Sequence, residues 1–388
     1  MIAIVTGGIA SWPVGGVVWD YGQYALGLEQ LGLDVYYLED TGRWAYDPAE
    51  ETYTADGVSQ VKFLEASLRA ISPRLGERWH YRAADGRTYG IGADAMEQLV
   101  ADADLFVNVS GLCLLRDAYM PCRRKILIDT DPGVNHFVEY PRWDTKTVPA
   151  GINHIRDHDH FFTYAECLGR PGCRLPDLGI PWHPTRPPVV LEAWTTGRAD
   201  GRWTTVMNWK MSKTVAHDGI VYGAKGMQFD AVETLPVETG TAFELAVSRL
   251  PAQRGERLRQ LGWSVADALQ ISRTAESYRQ YVQDSHGEFS VAKNVYVATG
   301  SGWFSCRSVC YLASGRPVVL EDTGFSALVP TGDGLLAFSG LREASDAIAR
   351  VDGDYDHHAG AAREVAAAHF DAHSVLADLL DRAGMSGL

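Results

Sequence analysis

The chain opens on an apolar run, Ile2–Thr6, that stops at Gly7-Gly8. Tyr21–Leu31 carries apolar residues at helical spacing, and Gly32 stands where a helix C-cap falls. Val35–Leu38 predicts a second strand, and Val58–Ile71 a further amphipathic helix. Leu105–Val109, Lys125–Ile128 and Phe161–Tyr164 are short apolar runs of the buried-strand type. Strands alternating with helices predict a parallel, doubly wound sheet. Pro181, Pro184, Pro187 and Pro188 then break the pattern, so Pro181–Gly201 reads as an interdomain connection. A second α/β series begins at Trp203–Asn208 and continues through Phe243–Val247 and helices near Arg254–Leu261 and Glu276–Asp284. Val295–Ala298, a helix over Phe304–Ala313 and a strand at Pro317–Leu320 complete it, and His358–Arg382 is Ala/Leu-rich and helical.

A chain of 388 residues exceeds one ordinary core, which favours two domains. Apolar residues at 46% and charged residues at 22% predict a soluble globular protein. The net charge of −14 argues against nucleic acid or an anionic membrane as the main partner, and any anionic ligand needs a local basic pocket. MIAIVTGG has no basic n-region and reads as a first strand, and no run reaches the roughly 20 apolar residues of a membrane span, so a cytoplasmic location is expected. Six cysteines are too few for a disulfide framework. Cys167 and Cys173 bracket a short loop, but reduced thiols are expected, and no paired CxxC motif marks a zinc site.

The segment Gly300–Thr323 is the most informative. It reads as a small-residue loop, a short helix, a Gly-Arg-Pro turn and an apolar strand that delivers Glu321, Asp322 and Thr323 to a sheet's carboxyl edge. A loop opening a helix offers N–H groups and a positive dipole end to a phosphate, and ligands of open α/β folds bind at that edge. The first loop, with Gly7, Gly8, Gly15 and Gly16, lacks a P-loop or dinucleotide spacing and reads as a cleft loop or as a purely structural turn. In LIDTDPG, Asp129 and Asp131 fall on one face of an extended chain at a strand end. They suit a general base or hydroxyl binding, or equally a turn and N-cap cluster. Glu166 follows the strand Phe161–Tyr164 and is a further cleft acid. His154, His158 and His160 invite a metal reading, but a third spaced ligand is missing and a solvated segment is the plainer account. Lys210 and Lys213 follow the strand Trp203–Asn208, and with Lys225 they could neutralise a diphosphate. Glu288 and Lys293 are polar residues in a strand-like run, either a buried ion pair or, for Glu288 and Ser290, donor contacts. Trp12, Trp19, Trp44 and Tyr46 could line an acceptor pocket or simply pack.

With these pieces placed, the chain resembles bacterial GT-B glycosyltransferases, and more narrowly an uncharacterised family-1-like group. The matching segments are PVGGVVWDYGQYALGLEQLGLDVYYLEDTG, IDTDPG, FTYAECLG, WTTVMNWK, GEFSVAKN and GWFSCRSVCYLASGRPVVLEDTGFS. The resemblance implies two Rossmann-like domains facing a cleft: residues 1–190 for the acceptor, 191–365 for the nucleotide sugar, and a helix over 366–388 that crosses back to the first. It implies that Ser301, Gly302, Trp303, Phe304 and Ser305 line the diphosphate and base region, and that Asp322, Thr323 and Gly324 face the sugar. Retaining relatives carry two glutamates at positions that correspond here to Gly302 and Cys310, and both are missing. The retaining mechanism loses its sequence support, and inversion needs a base in the first domain. Asp131, Asp129, Glu166 and His136 are the candidates, with Asp131 preferred for its place before a rigid Pro-Gly turn. The expected activity is metal-independent transfer of a sugar from a nucleotide diphosphate sugar to a small acceptor, in specialised glycoside biosynthesis. No cofactor beyond that co-substrate is expected, and the chain would be a monomer or homodimer. An NDP-sugar epimerase or hydrolase on the same fold, or a non-catalytic nucleotide-sugar-binding module, are the alternatives.

Overall fold

The computed structural model describes residues 1–145, 148–197, 201–209, 215–217, 219–223 and 225–385. The first sheet has eight strands: β1 (Ile2–Thr6), β2 (Asp34–Glu39), β3 (Trp79–Arg82), β4 (Thr88–Gly90), β5 (Leu105–Val109), β6 (Lys125–Asp129), β7 (His160–Thr163) and β8 (Trp182–Pro184). Their order is β8-β7-β6-β5-β1-β2-β3-β4. All pairings are parallel except β3 with β4. The second sheet holds β9 (Trp203–Asn208), β10 (Phe243–Ser248), β11 (Trp263–Asp267), β12 (Gly287–Ser290), β13 (Val318–Glu321) and β14 (Leu335–Phe338), ordered β11-β10-β9-β12-β13-β14 and wholly parallel. Each sheet reverses its strand order once, between β1 and β5 and between β9 and β12. Such switch points open a crevice at the carboxyl ends.

The near-continuous apolar runs of β1, β5 and β6 follow from burial on both faces. Helix α1 (Gly15–Gln30) lies behind the first loop. On the second sheet the elements around the cleft are α2 (Ala275–Asp284), α3 (Asn294–Thr299) and α4 (Cys306–Ala313). The segment Val295–Ala298 therefore sits in α3, while the polar-bearing run around Glu288 supplies β12. Two closing helices, α5 (Tyr355–His369) and α6 (Ala372–Arg382), return the chain to the first sheet. A parallel bridge joins Val189 to Asp371, and α6 packs on α1 at Gly27. A Cβ at Gly27 would lie 2.6 Å from Leu376 Cδ1 and 3.0 Å from the Ala372 Cβ, so glycine lets the two helices approach closely.

One buried cluster runs from Val5, Tyr24 and Val107 through Trp194 and Tyr296 to Leu312, Val318 and Leu376, so the two sheets share a core. No helix among the described residues is long and apolar enough to cross a membrane. All six cysteines are free thiols.

Candidate active site

The carboxyl edges of the two sheets face one cleft. It comprises an outer chamber of about 1260 Å³ and an inner one of about 550 Å³. Trp12, Asp20, Arg43, Cys306 and Arg307 line both. The ends of β9, β10 and β11 border the outer chamber, together with Cys310. The ends of β5 and β6 border the inner one, at Asn108, Ser110, Thr130 and Asp131.

Asp20 enters from α1, and its Oδ1 is buried without a hydrogen-bond partner among the described residues. Burial pushes its carboxyl up to about 6, against a hydrogen bond with the Cys306 thiol. Across the cleft stands Arg307, in the first turn of α4. A cation there opposes the helix dipole, so its position needs another cause. Glu288, fully buried on β12, supplies it: Nε meets Glu288 Oε1 at 2.5 Å, while the terminal nitrogens donate to Ser290 Oγ at 2.6 Å and to the Val206 carbonyl at 2.8 Å. Glu288 thus positions Arg307. Lys225, on the short helix Lys225–Asp230, lines the inner chamber and has no hydrogen bond or ion pair among the described residues. Burial and then the Arg307 charge hold its ammonium well below the usual lysine range, although Glu288 pulls the other way. Arg43 adds a third cation, over the Trp12 ring and 5.9 Å from its centroid.

Asp131 lines the inner chamber but is engaged across the interface. Lys293 Nζ lies 2.5 Å from its Oδ2, and the Tyr296 hydroxyl donates to its Oδ1 at 2.5 Å. Burial alone would raise this carboxyl; Lys293 and Tyr296 overcome that and hold it below the usual range. A carboxylate so stabilised is a weak proton acceptor and a good interdomain latch.

Asp129 and His136 lie beneath the chamber wall, both fully buried. Asp129 accepts from Asn135 at 2.6 Å and Thr163 at 2.9 Å, and pairs with His136 Nε2 at 3.0 Å. His136 Nδ1 faces the Pro176 carbonyl at 2.7 Å. An acceptor at each nitrogen favours the doubly protonated ring, and although burial lowers its pKa, Asp129 raises it above the ordinary value. The pair is a buried ion pair with no opening to substrate, which corrects the expectation of a base at either residue. Glu166 lines neither chamber; Arg186 Nε holds its Oε1 at 2.7 Å.

The Gly300–Thr323 segment also differs from expectation. Its amides are consumed internally: Gly300 N donates to Val297 O, Ser301 N to Tyr296 O, and Gly302 N to Thr323 O at 2.7 Å. Trp303 N donates to Ser301 Oγ. Phe304 packs between Phe325 and Phe370. Asp322 accepts from Gly324 N and the Ser326 hydroxyl, and Thr323 donates to the Trp303 carbonyl. Ser301, Gly302, Phe304, Asp322, Thr323 and Gly324 line neither chamber, whereas Trp303 and Ser305 line the inner one. The first loop is likewise spoken for. Ala10 N and Ser11 N donate to Glu39, and Gly15 N and Gly16 N donate to Ser272. Gly7 and Gly8 are packed against Tyr21 and Trp12, and only Gly16 of the four glycines borders the cleft. Lys210 and Lys213 lie outside the described residues. His158 is buried: its Nδ1 donates to Ile155 O at 2.7 Å, and its Nε2 lies 3.1 Å from Asn108 Nδ2. Desolvation pushes its pKa down to about 4, so it is neutral.

Sequence reasoning missed Asp20 and Arg307. Both had a signal: a lone acid inside the apolar run VVWDYGQYALG, and an arginine at a helix start where the dipole disfavours it.

No protein-family model and no curated protein matches the sequence. Solved structures do. AviGT4, a glycosyltransferase involved in avilamycin A biosynthesis, aligns over 100% of this chain and 98% of its own, at 15% identity and a TM-score of 0.55. HepE of Anabaena in complex with UDP and glucose aligns over 99% of both chains, at 11% identity and a TM-score of 0.56. Sucrose-phosphate synthase from Thermosynechococcus elongatus aligns over 100% of this chain and 99% of its own, at 12% identity and a TM-score of 0.52. The fold is that of the GT-B glycosyltransferases along the whole chain, with two Rossmann-like halves and a closing helix that crosses back.

Proposed function

We propose that the chain is a glycosyltransferase that moves a sugar from a nucleoside diphosphate sugar to the hydroxyl of a small acceptor. The observation that carries this reading is Lys225, a desolvated cation without a partner among the described residues, set in the cleft beside Arg307 and the start of α4 with Asp20 also on the wall. A diphosphate supplies the missing counter-charge. The nucleoside occupies the outer chamber, at the ends of β9 to β11, and the acceptor the inner one. Asp20 takes the acceptor proton as the new C–O bond forms at the anomeric carbon. The bond from that carbon to the diphosphate breaks, and the nucleoside diphosphate leaves with the electron pair.

Asp20 replaces Asp131 as the preferred base, because Lys293 and Tyr296 already hold Asp131 as a stable anion. Inversion fits this assignment. The first position of the retaining pair does not favour a glutamate: Gly302 has φ +73°, and a Cβ there would lie 2.8 Å from Cys167 Sγ. Side-chain cations take the part a metal plays elsewhere. The UDP bound to HepE favours a uridine nucleotide, AviGT4 favours a biosynthetic role, and six free thiols suit a reducing compartment. Loss of both family glutamates also supports a second reading, a module that binds a nucleotide sugar without turnover. Calorimetry with UDP, GDP and TDP tests the site, and absence of binding to all three overturns it. Nucleotide release from a bound nucleotide sugar separates the transferase from the binding module.

A further inference from the structure

Three hydroxyls meet on the wall of the inner chamber, at the switch point of the first sheet. Ser110 follows β5 with φ +62°, in the left-handed region that a non-glycine residue occupies only at a cost. Its Oγ lies 2.6 Å from Thr130 Oγ1, and the Tyr21 hydroxyl donates to it at 3.3 Å. All three residues line the chamber. Strain held at a ligand crevice points to use by a ligand.

The chemistry of the wall selects among ligands. Each hydroxyl has one donor and two acceptor positions, so the triad keeps capacity beyond its own two contacts. Tyr21 stays neutral, because burial raises its phenol far above the usual range. The carboxylate of Asp131 is already neutralised by Lys293. Trp12 and Trp143 add apolar faces. The charged groups of the chamber, Asp20, Arg43, Glu139, Lys225 and Arg307, lie outside this triad, and neutral hydroxyls beside aromatic faces suit a ring that bears several hydroxyls of its own.

We propose that the inner chamber takes a neutral polyhydroxylated ring as acceptor, a sugar or a cyclitol, read by the hydroxyls of Tyr21, Ser110 and Thr130. This rests on the transferase reading above. Transfer from the nucleotide sugar that binds best is assayed with methyl hexosides and myo-inositol, against 4-nitrophenol as a flat, single-hydroxyl acceptor. Products are expected from a polyol. Ser110→Gly and Thr130→Val should each raise the acceptor KM by about tenfold, the worth of one lost neutral hydrogen bond, with the donor KM within about twofold. Ser110→Gly should unfold at the same or a higher temperature, because glycine relieves the strained φ. A merely structural Ser110 predicts that thermal result with an unchanged KM. Transfer to 4-nitrophenol alone, or an unchanged acceptor KM in both variants, overturns the proposal. If no product forms although UDP binds, saturation-transfer NMR of the same polyols on UDP-loaded protein decides. A signal that weakens in both variants supports it, and no signal overturns it. Failure of UDP to bind removes the transferase reading itself, and this inference with it.

Discussion

Asp20→Asn tests the proposed chemistry most directly. The two side chains have nearly equal volume, so the packing of α1 against α4 should survive. The carboxyl is raised from 3.8 to about 6. That difference corresponds to about 3 kcal/mol between protonation states, and the partial opening of the side chain to the chamber reduces it. A raised pKa means that the group's contribution to stability is fully present below its unfolded value of 3.8 and is lost as pH rises through about 6. The native protein thus carries a cost near pH 8, at about two units above that value, which the asparagine variant lacks. Its Tm should exceed that of the parent by a few degrees there, and the gain should vanish in acid. Catalysis should move the other way. Removal of a general base lowers kcat by about 10²–10⁴-fold. The acid limb of the wild-type pH–rate profile should lie near pH 6 and disappear in the variant. Turnover is measured against acceptor concentration, with UDP affinity determined separately. A variant with near-normal kcat and an intact acid limb would refute the assignment.

Lys225→Met should weaken UDP binding by about 10–100-fold while raising Tm, since it removes a desolvated ammonium that has no partner among the described residues; calorimetry and a melt read both, and unchanged UDP affinity counts against the diphosphate site. His136→Ala should cost about 3–5 kcal/mol in urea unfolding, because it strands the buried Asp129 carboxylate. The His136 pKa is raised, so its contribution is complete below about pH 6.5 and lost as pH climbs through the folded value; the gap between parent and variant should narrow in alkali. Asp131→Asn should lower Tm modestly by loosening the link to Lys293 and Tyr296, yet leave the acid limb in place; loss of that limb would restore Asp131 as the base.

The alternation of strands and helices was readable because β1, β5 and β6 are largely apolar runs bounded by turn residues. Strand β3 was not. It spells Trp-His-Tyr-Arg, and its polar members are used inside the fold, with His80 Nδ1 bonded to the Ile91 carbonyl. The site was less legible than the fold. Strand-end acids can serve as bases or as structural pairs, and sequence spacing does not separate the two. Asp131 differs from Asp20 because Lys293, distant in sequence, reaches the former and not the latter. The Gly300–Ser305 loop misled for a related reason. Small residues promise free amides, but α3 carbonyls accept from Gly300 and Ser301, the Ser301 hydroxyl accepts from Trp303, and the Thr323 carbonyl in the loop after β13 accepts from Gly302.

That a single acid on α1 can face the second domain at a fixed distance follows from the face of the helix it shares. Residues three and four apart lie on one side. Gly16 N bonds Ser272 Oγ at 2.9 Å, Trp19 Nε1 donates to the Ala275 carbonyl at 2.9 Å, and Gln23 Oε1 accepts from Val190 N at 2.9 Å and from Trp194. Gly27 then meets Leu376 on α6. These contacts tie one helical stripe to the second domain, to the connecting segment and to the returning helix in succession. Asp20 lies between Gly16 and Gln23, with Trp19 beside it. Rotation or sliding of α1 would break these anchors before it moved Asp20 away from Cys306. On the transferase reading proposed above, the base and the leaving group belong to different halves, and effective catalysis needs reacting groups held at contact distance. The seam of contacts along α1 would supply that registration, and the latch from Asp131 to Lys293 and Tyr296 adds a second tie between the halves at the inner chamber.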